Sequence, residues 1–86
     1  MNILRIKERI INTLVDASEG ALDRETIVQV NDDIHALSLN SLTIIRWLVN
    51  MEDEFDVEFD MEKVVLQDKL IDSFEKLTKY IQNHNQ

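Results

Sequence analysis

The chain has no cysteine, no proline and only one glycine among its 86 residues. Without cysteine there is no disulfide framework, zinc knuckle or thiol nucleophile. With so few turn residues, a sheet of short strands is hard to build. Positive charge is also scarce. Nine Lys and Arg stand against 17 Asp and Glu, a formal net charge of −8, whereas nucleic-acid binding needs a basic patch. No apolar run approaches the roughly 20 residues that span a bilayer, and Met1-Asn2-Ile3 does not open a signal peptide. A cytoplasmic domain with no membrane and no nucleic-acid partner is the expectation. At 44% hydrophobic the chain is too apolar to stay disordered. Its length predicts a single domain over residues 1–86, burying about 60–65% of the surface of its unfolded chain. The fold class expected is all-α, a small four-helix bundle with three long helices, one short helix and a long first loop.

The first helix is predicted from Ile3 to about Ala17. Ile3, Ile6, Ile10, Ile11, Leu14 and Val15 form an apolar stripe opposite Arg5, Lys7, Glu8, Arg9 and Asn12. Asn2 is placed to cap it, and Gly20 sits where it should stop. Residues 21–40 show weak periodicity and read as an ordered loop. Asn31, Asp32 and Asp33 are turn formers there, and Ile34 and Leu37 pin the loop to the core. A loop of about 20 residues in a small domain points to function.

A second helix is predicted from about Ser41 to Glu54, capped by Asn40 or Ser41. Leu42, Ile45, Leu48, Met51 and Phe55 form its stripe, widened by Ile44, Trp47 and Val49. Trp47, among Ile44, Leu48 and Met51, reads as core. Beyond it, acidic residues alternate with Phe55, Val57, Phe59 and Met61, as a strand or as an extended connector over the bundle. Val64, Val65, Leu66, Leu70 and Ile71 suggest a short third helix or turn. A last helix follows from about Asp72 to Gln82, with Phe74, Leu77, Tyr80 and Ile81 facing inward.

Seven of the 17 acidic residues lie between Glu52 and Glu62. They form either a solvated face or a docking surface for basic partners. A calcium loop starting at Asp56 would need glycine sixth and glutamate twelfth, where Met61 and Gln67 stand, so no metal site is expected. Catalysis is equally hard to assemble. His35 and His84 are the only imidazoles, and Ser41 lies in no strained elbow such as G-x-S-x-G. Ser41 does sit where a long loop meets an amphipathic helix. Its plain role there is a cap, yet a helix N-terminus also stabilises a phosphate ester.

Residues 37–59, LSLNSLTIIRWLVNMEDEFDVEF, resemble the acyl carrier protein family, including the peptidyl carrier domains. That family's hallmark is an Asp-Ser-Leu at the start of a helix ending in Leu-Glu, with a phenylalanine three residues later. Ser41-Leu42, Met51-Glu52 and Phe55 take those positions without a gap. The stretch Ser73-Phe74-Glu75-Lys76-Leu77-Thr78-Lys79-Tyr80-Ile81 resembles the family's last helix. The resemblance implies a 4′-phosphopantetheine arm, transferred from coenzyme A to Ser41 by a phosphopantetheinyl transferase, with Asn40 and Leu42 beside it. The arm's thiol would carry acyl or aminoacyl groups as thioesters. The chain itself would be non-catalytic, a free-standing monomer serving loading enzymes and pathway synthases. The resemblance also makes the Ser41 helix the recognition surface, with Arg46, Val49, Glu52 and Asp53 as partner contacts.

Departures from the family pattern are specific. Asn40 stands for the usual aspartate, Ser38 for a glycine, Arg46 for an acidic residue, and His35-Ala36 for an acidic pair. They imply partners other than those of housekeeping fatty-acid synthesis, in a polyketide, nonribosomal peptide or other dedicated pathway. A carrier-like binding module without the arm is the alternative. The literal Asp72-Ser73 pair has too little chain after it for a recognition helix, and reads as a helix cap with Lys76 and Lys79 on a solvated face. If the bundle shelters cargo, Ile45 and Val65 should line the space.

Overall fold

The apolar stripe of the first 17 residues becomes a helix because every third or fourth residue finds the same core. In the computed structural model, which describes residues 2–60, 62, 64 and 70–84, α1 runs Ile3–Ala17. Asn2 caps it, its Oδ1 accepting from Leu4 N at 2.8 Å. Ile6, Ile10, Ile11 and Leu14 are buried while Ile3 is exposed. The helix stops where Glu19 and Gly20 take φ values of 56° and 86°, the left-handed turn for which glycine carries no steric penalty.

The segment expected to be loop throughout is partly helical. Arg24–Gln29 form α2, and Ile34–Leu37 form a 3-10 turn. Asp23 starts α2 by accepting from Thr26 N at 2.8 Å, and Glu25 lies in its first turn, where the helix dipole favours negative charge. Only Ile27 is buried within α2. One anchor leaves no periodic stripe to read in the sequence. Ile34 is buried and Leu37 packs against the core, so the pinning of this loop agrees with expectation.

α3 runs Ser41–Phe55. Trp47, Leu48, Met51 and Phe55 are its buried residues. The outward face corrects the expected stripe, since Leu42, Ile45 and Val49 are 56%, 45% and 49% exposed. The apolar residues of α3 occupy two faces, and the bulkiest side chain decides which turns inward. Trp47 is fully buried, its indole 5.8 Å from the Phe74 ring. Its Nε1–H lies 3.3 Å from Ile10 O and 3.2 Å from Thr13 Oγ1. Burying the indole with its donor satisfied outweighs burying Ile45 or Val49.

After α3 the alternation resolves as an extended connector, not a strand. Val57 and Phe59 are buried and Glu58 and Asp60 exposed. Phe59 stacks on Tyr80 at 5.4 Å. Val64 and Ile71 are buried, and Leu70–Asp72 form a second 3-10 turn. The rest of the expected third helix, Val65 and Leu66 included, lies outside the described residues. α4 runs Phe74–His84, with Phe74, Leu77 and Ile81 buried. Lys76 and Lys79 pair with Asp72 and Glu75 one turn back. α1 packs against both α3 and α4, and α3 starts from the end of the loop tied to α4.

Candidate functional site

Asn40, not Ser41, caps α3. Its backbone is extended at φ −82°, ψ 167°. Its Oδ1 accepts from Thr43 N at 2.8 Å, and its carbonyl accepts from Ile44 N at 3.1 Å. Ser41 is therefore the first helical residue. Its side chain is exposed, and its hydroxyl makes no hydrogen bond among the described residues. Leu42 beside it is exposed as well. The first turn of α3 holds no acidic residue, so nothing there repels an anion at the positive end of the helix dipole.

The approach to Ser41 is held from below. Ser38 adopts φ 52°, ψ 47° at the end of the Ile34–Leu37 turn, its N–H bonded to His35 O. A left-handed serine is strained where glycine would not be. Asp33 Oδ1 accepts from His35 N at 3.1 Å, and its backbone forms a bridge with Ser73. Asp32 Oδ1 accepts from Glu75 N at 3.0 Å. His35 places Nε2 2.6 Å from Asp72 Oδ1. The histidine thus ties the loop to the start of α4 and makes no hydrogen bond with Ser41.

Of the four residues expected to meet partners, Arg46, Val49 and Asp53 are exposed and fall on one side of α3 by helical spacing. Glu52 is half-buried, and its Oε2 accepts from Phe59 N at 2.9 Å, which pins the connector. Arg46 forms an ion pair with Glu19 beyond the end of α1. Both residues line an open hollow of about 280 Å³ together with Asp16, Ala17, Ile45, Val49 and Asn50. Sequence reasoning missed the α1 side of this hollow. Glu19 and Arg46 are 27 residues apart, and no local pattern links them.

The acidic stretch that begins in the last turns of α3 has a structural part too. Arg9 meets Glu54 Oε1 at 2.7 Å and donates to its carbonyl at 2.9 Å. The same guanidinium lies 4.9 Å over the Phe55 ring. A cation there also favours the negative end of the α3 dipole. Among the described residues, no three carboxylates or imidazoles gather as a metal site.

The family model for the phosphopantetheine attachment site matches residues 12–81. The chain belongs to that family. No curated protein and no solved structure matches it significantly. The cofactor of the family is covalently attached 4′-phosphopantetheine. The residues present fit such a group, with an exposed hydroxyl that capping leaves uncommitted, at a helix start without competing carboxylates. Domains of the family are generally non-catalytic and work with phosphopantetheinyl transferases and biosynthetic enzymes. No described helix is long and apolar enough to cross a membrane.

Proposed function

We propose that residues 1–86 form a single carrier domain that holds acyl or aminoacyl intermediates on an arm attached at Ser41. The observation that carries this reading is the position of Ser41, one residue inside the Asn40 cap. A serine acting as the cap would hold its hydroxyl against the N–H of the second or third helical residue. Asn40 takes that task through Thr43 N and leaves Ser41 Oγ exposed. In the loading step a transferase base removes the Ser41 proton, and Oγ attacks the pantetheine-side phosphorus of coenzyme A. The Oγ–P bond forms as the diphosphate P–O bond breaks, and adenosine bisphosphate leaves. The first N–H groups of α3 and its dipole favour the resulting phosphodiester anion. Once attached, the group supplies the thiol for thioester chemistry that a chain without cysteine lacks.

The outer side of α3 serves the partners, through exposed Arg46, Val49 and Asp53, with half-buried Glu52 at its edge. Glu19 pairs with Arg46, so that cation is offset, and along α3 itself negative charge begins at Glu52. A partner fitted to it places its basic residues towards the end of α3 and an apolar contact nearer Ser41. That pattern, with Asn40 and Ser38, supports a polyketide, nonribosomal peptide or other dedicated pathway.

The test is intact mass spectrometry after incubation with coenzyme A and a broad-specificity phosphopantetheinyl transferase. A gain of one phosphopantetheinyl group, mapped by fragmentation to Ser41, is expected. A folded protein that no transferase modifies would favour a carrier-shaped binding module acting by contact alone.

A further inference from the structure

Six large apolar side chains are exposed among the described residues, and they fall into two groups. Leu42, Ile45 and Val49 belong to α3. Ile3, Leu4 and Val28 belong to α1 and α2 and lie outside the surface that α3 offers. Leu4 is the most exposed of the six, at 71%. The α3 side of α1 carries Arg9 and Thr13, one turn apart, which meet Glu54 and Trp47. Leu4, Lys7 and Ile11, spaced by three and four residues, run along another side of the helix.

On that side Leu4 and Lys7 line two open hollows. One, of about 430 Å³, is lined also by Arg5, Glu8, Ile11 and Arg24. The other, of about 400 Å³, is lined also by Ile3 and by Thr78 and Lys79 of α4. Lys7 and Ile11 line a third with Val28 of α2. Charge here has the opposite sign to that of the whole chain. The first hollow gathers the cations Arg5, Lys7 and Arg24 against the single anion Glu8, in a chain of net charge −8. Glu8 is taken by Arg24 at 2.7 Å, Lys7 stands 4.0 Å from Asp32, and Arg5 has no ion pair among the described residues. Exposed apolar side chains beside a surplus of cations suit a ligand that is apolar and negative together. An inorganic anion would leave Ile3, Leu4 and Val28 uncovered, and a neutral apolar ligand would leave Arg5 unanswered.

We propose that this flank of α1 and α2 is a second docking surface, for an acidic segment of a partner protein that seats an apolar side chain against Leu4. No residue of α3 lines these hollows. The partner therefore holds the domain while Ser41 and the outer face of α3 stay open to the pathway enzymes. The surface needs no arm at Ser41, and it is tested on the chain without one.

The probe is a short synthetic peptide of glutamate and leucine in a serine background, titrated into ¹⁵N-labelled protein. Saturable amide shifts at residues 3–11 and 24–28 are expected, with residues 41–55 unmoved. Leu4→Ser should weaken binding about tenfold, through the apolar contact it removes. Arg5→Glu should weaken it about fivefold, with a smaller effect at high salt. Both positions are exposed, and an unchanged urea midpoint shows that each variant folds. Equal shifts from a lysine version of the peptide, or from inorganic phosphate alone, would overturn the proposal. So would shifts centred on α3, undiminished binding to Leu4→Ser, or no saturable shift at about 1 mM peptide. Shifts at residues 3–11 that grow with protein concentration alone would overturn it too, by making the occupant a second copy of this chain.

Discussion

Two helices of this protein begin with a polar residue followed by serine, and the two serines are held differently. At the start of α4, Ser73 is the cap, its Oγ accepting from Lys76 N at 3.1 Å. Asp32 accepts from Glu75 N, and Asp72 meets both His35 and Lys76. Asp32, Asp33 and His35 thus hold the loop to the helix start around Ser73. At the start of α3 the cap is Asn40, and Ser41 has passed into the helix with its hydroxyl exposed and unbonded among the described residues. A shift of one residue separates a serine that builds the fold from one that is free for chemistry.

The largest expected effect tests that separation directly. Ser41→Ala should lose phosphopantetheinylation altogether, whereas Ser73→Ala should gain the full mass increment under the same conditions. Modification of the Ser41→Ala protein, read by intact mass, would break the comparison, because some other hydroxyl would then be the acceptor.

The two serines were separable in the sequence by spacing, since only Ser41 has room after it for a recognition helix. Which residue caps α3 was not. Asn40 and Ser41 have nearly equal cap preference, and the choice depends on how the Ile34–Leu37 turn and Ser38 deliver the chain. The rotation of α3 was equally hidden. Leu42, Ile45 and Val49 share a helical spacing with one another, as Trp47, Leu48, Met51 and Phe55 do. Only the fit of Trp47 between α1 and Phe74 decides which set faces inward. α2 escaped notice because a six-residue helix with one buried side chain has a cap but no stripe. By contrast, α1 and α4 were legible, since each carries one apolar face and meets one core.

Stability should invert the order expected in modification. Ser73→Ala removes a cap acceptor and is expected to cost about 1 kcal/mol, and Asn40→Ala about the same. Ser41→Ala removes no intramolecular bond and should stay within about 0.5 kcal/mol of wild type. Urea denaturation of the three variants measures this. A loss of 1 kcal/mol or more in Ser41→Ala would mean that its hydroxyl is engaged after all.

Ser38 sharpens the comparison from the loop side. It delivers the chain to Asn40 in a left-handed conformation that disfavours a side chain by roughly 1–2 kcal/mol. Ser38→Gly removes that strain and adds roughly 0.5–1 kcal/mol of unfolded-state entropy. The net expectation is a gain of up to about 1.5 kcal/mol, measured as a higher urea midpoint with an unchanged slope. A lower midpoint would show that the Ser38 side chain supports the approach to Ser41 in a way its backbone angles do not reveal.

The smallest effect extends the comparison to a third helix start. α2 is capped by Asp23, whose carboxylate is held below its usual pKa of 3.8, chiefly by the backbone N–H of Thr26 and then by the Thr26 hydroxyl. A carboxyl with a depressed folded-state pKa contributes stability that is complete above the unfolded value and is lost as pH falls through the folded one. The Asp23 cap should therefore be intact above about pH 4, where the unfolded carboxyl is ionised, and fade below it. The Asn40 cap carries no charge and has no such dependence. Asp23→Asn keeps a side-chain acceptor but removes the titration, making α2 begin as α3 does. Wild type and Asp23→Asn should differ in urea midpoint at neutral pH and converge as the pH falls below about 4. A difference that stayed constant into acid would mean that Asp23 stabilises α2 through its shape and hydrogen bond alone, with no share from its charge.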